Sequence, residues 1–264
     1  RVALPIPRSI LGTTFSAVSV SCMQQYFDYH YDGSSFELFG AGHLLSVAIV
    51  VAIASFLIWG WRDPSEEGKR RARLLIAGIL LLLEVSWHGW NLLNDAWSYR
   101  QHLPLHSCAI SVWGSIYVVW ARSYRVYEIL FFMGTAGALQ TLLTPDAGAY
   151  GLPHFRALQT LSAHDMIVVA MTYMTVIEGF RPTWRSLWKT MLIGNVYVII
   201  VTIVNYLIGS NYMYTLRKPD TASLLDMMGP WPWYILTGEF VALLMFCLLY
   251  LPFAVGDRRA AAMH

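Results

Sequence analysis

Charge is what this sequence has least of. Asp, Glu, Lys and Arg make up 13% of its 264 residues, against roughly 25% in a soluble domain, which excludes an ordinary water-facing surface. Cysteine is also scarce: Cys22, Cys108 and Cys247 form no CxxC pair and no even set, so neither a disulfide framework nor a zinc ribbon is encoded. No HExxH run occurs, no repeat at a fixed period and no low-complexity tract. Short segments of alternating hydrophobicity, the mark of a membrane β-barrel, are missing as well.

What is present is apolar length. The chain is 56% hydrophobic with a mean hydropathy of +0.48. Crossing a hydrocarbon core of roughly 30 Å takes about 20 mainly apolar helical residues, and seven segments qualify: 37–59, 73–94, 104–121, 126–144, 159–177, 188–209 and 231–254. The expected fold is all-α and polytopic, with residues 1–35 as an exterior N-terminal segment and 36–264 as a seven-helix transmembrane domain. Nothing in residues 1–35 reads as a cleavable signal.

Lys and Arg accumulate in short cytoplasmic loops. Arg62, Lys69, Arg70, Arg71, Arg73, Arg122, Arg125, Arg181, Arg185, Lys189, Arg258 and Arg259 fall on one side; Arg1, Arg8, Arg100, Arg156, Arg217 and Lys218 fall on the other. This imbalance puts the N-terminus outside and the C-terminus in the cytoplasm. The positive residues serve topology or anionic headgroups, so no nucleic-acid partner is expected. The expected location is the bacterial inner (plasma) membrane.

With that topology, His43, Glu84, His88, His106, Cys108, His164, Asp165 and Glu239 all lie in the outer half of the membrane, within a few helical turns of its surface. Ionisable groups at such depth face a cavity or a partner rather than lipid. Cys247, in the run LLMFCLLYL, reads as a small packing residue.

Cys108 follows His102-Leu-Pro-Leu-His106-Ser107, with Pro104 marking the first turn of its helix. Amides at a helix N-terminus and a nearby imidazole both favour a reactive thiolate; a buried structural cysteine below two solvated histidines is the plainer alternative. His164 and Asp165 follow Gln159, Thr160 and Ser162, and a histidine bonded only to a neighbouring helix is an equally available reading. Glu84, His88 and Asn91 fall at i, i+4 and i+7 on one inward face, as a carboxylate with its imidazole, as two metal ligands, or as a self-satisfied pair. Gly134, Gly137 and Ala138 allow close helix approach, while Trp87, Trp90, Trp97, Trp231 and Trp233 are expected as interfacial anchors.

The segments FELFGAGH, LPLHSC and NYMY, followed by RKP, SLLD and GPWPWY, resemble the YwaF-type integral membrane proteins related to eukaryotic transmembrane protein 164. The resemblance runs from about residue 36 to 254. It implies acyl transfer between phospholipids, with Cys108 and His164 at the positions of the cysteine and histidine assigned to that chemistry. A more distant likeness to membrane hydrolases of fatty-acid esters points the same way.

The expected function is therefore a lipid acyltransferase or lipid hydrolase using Cys108 as nucleophile and His164 as base, without a cofactor. Asp165, Glu84 and His88 stand in support, and His106, Asn91, Asn211 and Tyr212 are further site candidates, the last three as hydrogen-bond donors to an oxyanion. The expected partner is a membrane phospholipid or another acyl lipid. Two alternatives remain: a zinc-dependent hydrolase with ligands among His43, His88, His106, His164 and Glu84, and a transporter or ligand-binding protein whose polar layer lines an outward cavity.

Overall fold

The computed structural model describes residues 25–145, 150–219 and 224–262. Within them the chain is helical, with seven α-helices and no strand. They are α1 (Ala41–Ser55, continued by a π-turn, Phe56–Gly60), α2 (Glu66–Leu93), α3 (Ser107–Ala121), α4 (Tyr124–Leu143), α5 (Phe155–Val176), α6 (Trp184–Ile208) and α7 (Trp233–Ala262). Cys22, in the segment expected to be exterior, lies outside the described residues.

Among the described residues, five helices are long and apolar enough to cross a membrane: α1 with its π-turn, α2, α4, α6 and α7. The chain is an integral membrane protein. The two remaining expected spans depart from the rule for different reasons. α3 has only 15 residues, about 22 Å of helix. α5 has 22 residues but carries Gln159, Thr160, His164 and Asp165. It packs against α1, α2, α3 and α4 and buries residues around its circumference. Enclosed by other helices, it need not present an apolar face to lipid and is free to hold polar groups.

Local chemistry sets the helix starts: α2, α4, α5 and α6 begin earlier than hydropathy alone suggests, and α1, α3 and α7 begin later. The Ser65 side chain accepts from the Gly68 amide at 3.1 Å and opens α2 at Glu66, seven residues before the expected start. Its first turn is polar, with Lys69 on Glu66 and Arg71 on Glu67. Thr183 and Ser186 form a reciprocal capping box at α6. Gly209, at φ +67°, ends that helix in the left-handed conformation that glycine adopts without strain.

Short connections make sequential helices antiparallel, and the cross-links agree. At one end, Glu178 just beyond α5 is fully buried between Arg73 of α2, paired with its Oε1, and Arg122 after α3, whose Nε lies 2.8 Å from Oε2. Tyr173 donates to the same carboxylate at 3.2 Å. Arg181 meets Asp257 of α7 there as well. At the other end, where α1, α3, α5 and α7 begin, His43 of α1 donates from Nε2 to the Leu142 carbonyl of α4 at 2.7 Å.

That second end is capped by residues 26–34. The amide of Phe155, the Trp90 indole, His154 Nε2 and the Tyr150 hydroxyl donate to the carbonyls of Tyr26, Phe27, Asp28 and Tyr29 at 2.8–3.0 Å. Gly151 completes the seam by donating to the Ser34 carbonyl at 2.9 Å; a Cβ there would lie 2.2 Å from that oxygen. The expectation that Trp87 and Trp90 serve as interfacial anchors is corrected here. Trp90 is buried beneath Tyr29 and Phe155, and Trp87 lies against Arg156 and His102. Trp231 and Trp233 are exposed as anchors would be.

The close approach expected of the α4 glycines holds at Gly134, where a methyl would touch Ile167 and Ser111 at 3.4 Å, but Gly137 faces open space. The tightest helix contact at a glycine in this region is Gly114 of α3 against Leu130 of α4.

Candidate active site

α3 begins at Ser107, three residues after Pro104, so the proline lies in the preceding turn and not in the helix. His106 is the N-cap residue but makes no side-chain capping bond. Cys108 is therefore the second residue of a helix whose first amides lack intrahelical partners. It is partly buried and not in a disulfide.

Ser107 beside it, Thr141 from α4 and the His164 imidazole from α5 are the polar side chains near its thiol. Thr141 also donates to the Gly137 carbonyl one turn back at 3.0 Å. His164 is buried, and its Nδ1 lies 2.7 Å from the Thr160 carbonyl oxygen. A carbonyl only accepts, so Nδ1 carries a proton and Nε2 is the nitrogen left for other chemistry. Nε2 is buried without a hydrogen-bond partner, and Cys108 lies against this same imidazole. The pair is thus a thiol and an imidazole in one largely buried enclosure.

Asp165, next to His164 in sequence, turns the other way. Its Oδ2 accepts from the Ser46 hydroxyl of α1 at 2.8 Å, so the group that orients the imidazole is the Thr160 backbone and not this carboxylate. Glu84 and His88 pair as their spacing predicts, with Oε1 and Nε2 3.4 Å apart. The His88 Nδ1 accepts from the Trp97 indole at 3.1 Å. Asn91 donates to the Trp87 carbonyl at 2.8 Å, leaving a buried, unpartnered Oδ1.

The other candidates hold loops together. Tyr212 is buried, with its hydroxyl donating to the Tyr99 carbonyl at 2.7 Å and accepting from the Leu103 amide at 2.9 Å. Asn211 closes the 211–217 loop by accepting from the amides of Leu216 and Arg217 and donating to the Arg217 carbonyl. His106 accepts from the Met213 amide at 3.3 Å and packs on Tyr212 and Tyr214. Glu239 accepts from Asn195, joining α7 to α6.

His43, His88, His106, His164 and Glu84 do not assemble a metal centre: among the described residues no three His, Cys, Asp or Glu side chains converge to hold an ion. Both nitrogens of His43 are engaged, Nδ1 by the Phe39 amide at 3.0 Å and Nε2 by Leu142. The donor set does not fit zinc.

Arg156 went unremarked as a site residue, although Arg156, Thr160 and His164 at i, i+4 and i+8 share one face of α5. Its guanidinium lies 3.9 Å from the centre of the Trp87 ring and donates to Gln159 Oε1 at 2.6 Å and to Thr160 Oγ1 at 2.5 Å. The Thr160 carbonyl also escaped notice, because a backbone atom leaves no signal in composition.

A family model described as the TMEM164 family matches residues 38–250. No curated protein and no solved structure matches the chain.

Proposed function

The chain belongs to the TMEM164 family, and we propose that it is a membrane-embedded lipid acyltransferase or lipid hydrolase working through Cys108 and His164. The observation that carries this reading is the buried, unpartnered Nε2 of His164, whose Nδ1 is held by the Thr160 carbonyl, near the thiol at the start of α3.

His164 takes the thiol proton as the sulfur attacks an ester carbonyl carbon. The tetrahedral intermediate collapses by breaking the bond to the alkoxy oxygen, which leaves as an alcohol carrying the proton from His164. An acyl-thioester remains on Cys108. A second lipid hydroxyl or water, deprotonated by His164, then attacks the thioester, and the returning proton restores the thiol.

Negative charge on the intermediate oxygen is met by the first-turn amides of α3. Asn211 and Tyr212 are committed to their loop and are not assigned this role. Asn91 keeps an amide group in the same half of the bundle but already donates to Trp87. Glu84 and His88 support the site as a buried polar pair on its α2 side.

The depth of the site favours an ester of a membrane lipid as substrate. α3 covers about 22 Å and is tied through Arg122 to Glu178 at the opposite end, so a start at Cys108 below the ends of longer helices suits an ester in a bilayer leaflet. With the excess of Lys and Arg on the opposite side, the leaflet is the outer one of a bacterial inner membrane. A transport reading draws no comparable support, since the polar layer is off-centre and no repeat frames it.

The test is acyl-enzyme formation on purified protein. Cys108→Ser and His164→Ala lose phospholipid deacylation if the pair is the active site; full activity in both variants removes it.

A further inference from the structure

The outward faces of α6 and α7 are mostly Leu, Ile, Val and Phe, as hydrocarbon requires. Midway along α6, however, the Asn195 side chain is exposed on the outside of the bundle. It stands eleven residues after Trp184 and thirteen before Ile208, roughly 17 and 20 Å from the two helix ends. Glu239 of α7 accepts from its Nδ2 at 2.8 Å, which holds the carboxylate at the same depth. Only 11% and 6% of the apolar spans of α6 and α7 are buried, against 50% of α4, so both helices turn most of their surface outward.

A carboxylate and a carboxamide at this depth meet neither water nor headgroups, and ionisable groups within a bilayer turn to the bundle interior or to a partner. The pair does not satisfy itself. Asn195 uses one amide hydrogen on Glu239 and the other on the Met191 carbonyl at 2.9 Å. Among the described residues nothing donates to the atoms left over, Asn195 Oδ1 and the second Glu239 oxygen. Both accept, and acyl chains offer no donor. The flanking positions leave room for a close neighbour: a Cβ added at Gly194 or at Gly238 would meet nothing within 4 Å, and small residues let a second backbone approach inside a membrane.

The complement of this face is a helix that brings donors and positive charge. A second copy of the chain does not bring them. Its described Lys and Arg lie at helix ends and in loops, His43 and His164 are buried, and His88 is engaged by Glu84 and Trp97. Two copies would set acceptors against acceptors.

We propose that the face of α6 and α7 around Asn195 and Glu239 docks a transmembrane helix of another protein that carries Lys or Arg at mid-membrane depth. Glu239 balances the partner's charge, the partner's N–H groups bond the leftover oxygens, and Gly194 and Gly238 admit its backbone.

Full-length protein carrying a fluorescent donor, reconstituted in phosphatidylcholine vesicles, is titrated with acceptor-labelled leucine-rich helices of about 21 residues, identical except for a central Lys or Leu. Energy transfer should show the Lys helix bound roughly tenfold more tightly. Glu239→Gln should bring the two helices to near parity, and Glu239→Asp should keep most of the preference. With unaltered protein, moving the Lys about two turns towards one end of the peptide should also abolish the preference, so the test does not depend on how the variants fold.

Equal binding of the Lys and Leu helices to wild-type protein, or a preference that survives Glu239→Gln or the displaced Lys, overturns the proposal. Energy transfer between differently labelled copies of the chain that is lost in Glu239→Gln would show the face closing on a second copy, and overturns it as well.

Discussion

His164 donates its Nδ1 proton to the carbonyl oxygen of Thr160 at 2.7 Å. A base is normally oriented by a carboxylate, but in α5 the helix backbone does this one turn back, without placing a second charge in an apolar layer. The consequence is a reactive thiol that depends on one imidazole. His164→Ala should slow alkylation of Cys108 by iodoacetamide at neutral pH by roughly tenfold, read by peptide mass spectrometry with Cys247 as the internal control. Equal rates in the two proteins would separate the pair.

Asp165 should be dispensable for chemistry. Its Oδ2 is bonded to Ser46 of α1, so Asp165→Asn is expected to leave acyl-enzyme formation nearly unchanged. A loss as large as that of His164→Ala would restore it as the orienting group.

Glu178 should dominate stability at the opposite end. Its fully buried carboxylate faces Arg73 and Arg122, and removing one member of a buried ionic cluster leaves uncompensated charge, costing about 3–5 kcal/mol. Glu178→Ala should lower the thermal unfolding midpoint in detergent far more than Glu67→Ala, whose carboxylate pairs with Arg71 on the exposed surface.

The cap should loosen in mild acid. His154 accepts the Arg156 amide on Nδ1 at 3.1 Å and donates from Nε2 to the Asp28 carbonyl at 3.0 Å, an arrangement that only the neutral ring satisfies. Burial holds its pKa below the usual 6.5, against a smaller upward pull from Asp28. The unfolded cap therefore binds more protons, so its contribution to stability is present above pH 6.5 and is lost as pH falls through 6.5 towards the lower folded value. Hydrogen exchange in residues 26–34 should accelerate at pH 5 relative to pH 7.5, and less so in His154→Gln. Equal exchange at both pH values would show that protonation of His154 does not govern the cap.

The sequence carried the apolar helices and the polar layer, because lipid exposure imposes composition directly. Cys108 and His164 were legible for the same reason, as ionisable groups at matching depth in different helices, and the family match covers both. What escaped lay in directions and not depths. Hydropathy could not tell that α5 is wrapped by four helices, nor that Trp90 turns under the cap while Trp231 turns out. Adjacency in sequence suggested that Asp165 serves His164, yet consecutive residues on a helix point about 100° apart, and Ser46 lies where Asp165 points. His43 read as a possible ligand until the Leu142 carbonyl and the Phe39 amide were found on its two nitrogens.

Intact-protein mass spectrometry after incubation with mixed phospholipids tests the central claim most directly. The account predicts an acyl-sized adduct on wild-type protein, released by hydroxylamine and absent from Cys108→Ala. A wild-type protein that turns over phospholipid with no adduct, or an adduct that persists in Cys108→Ala, would contradict it.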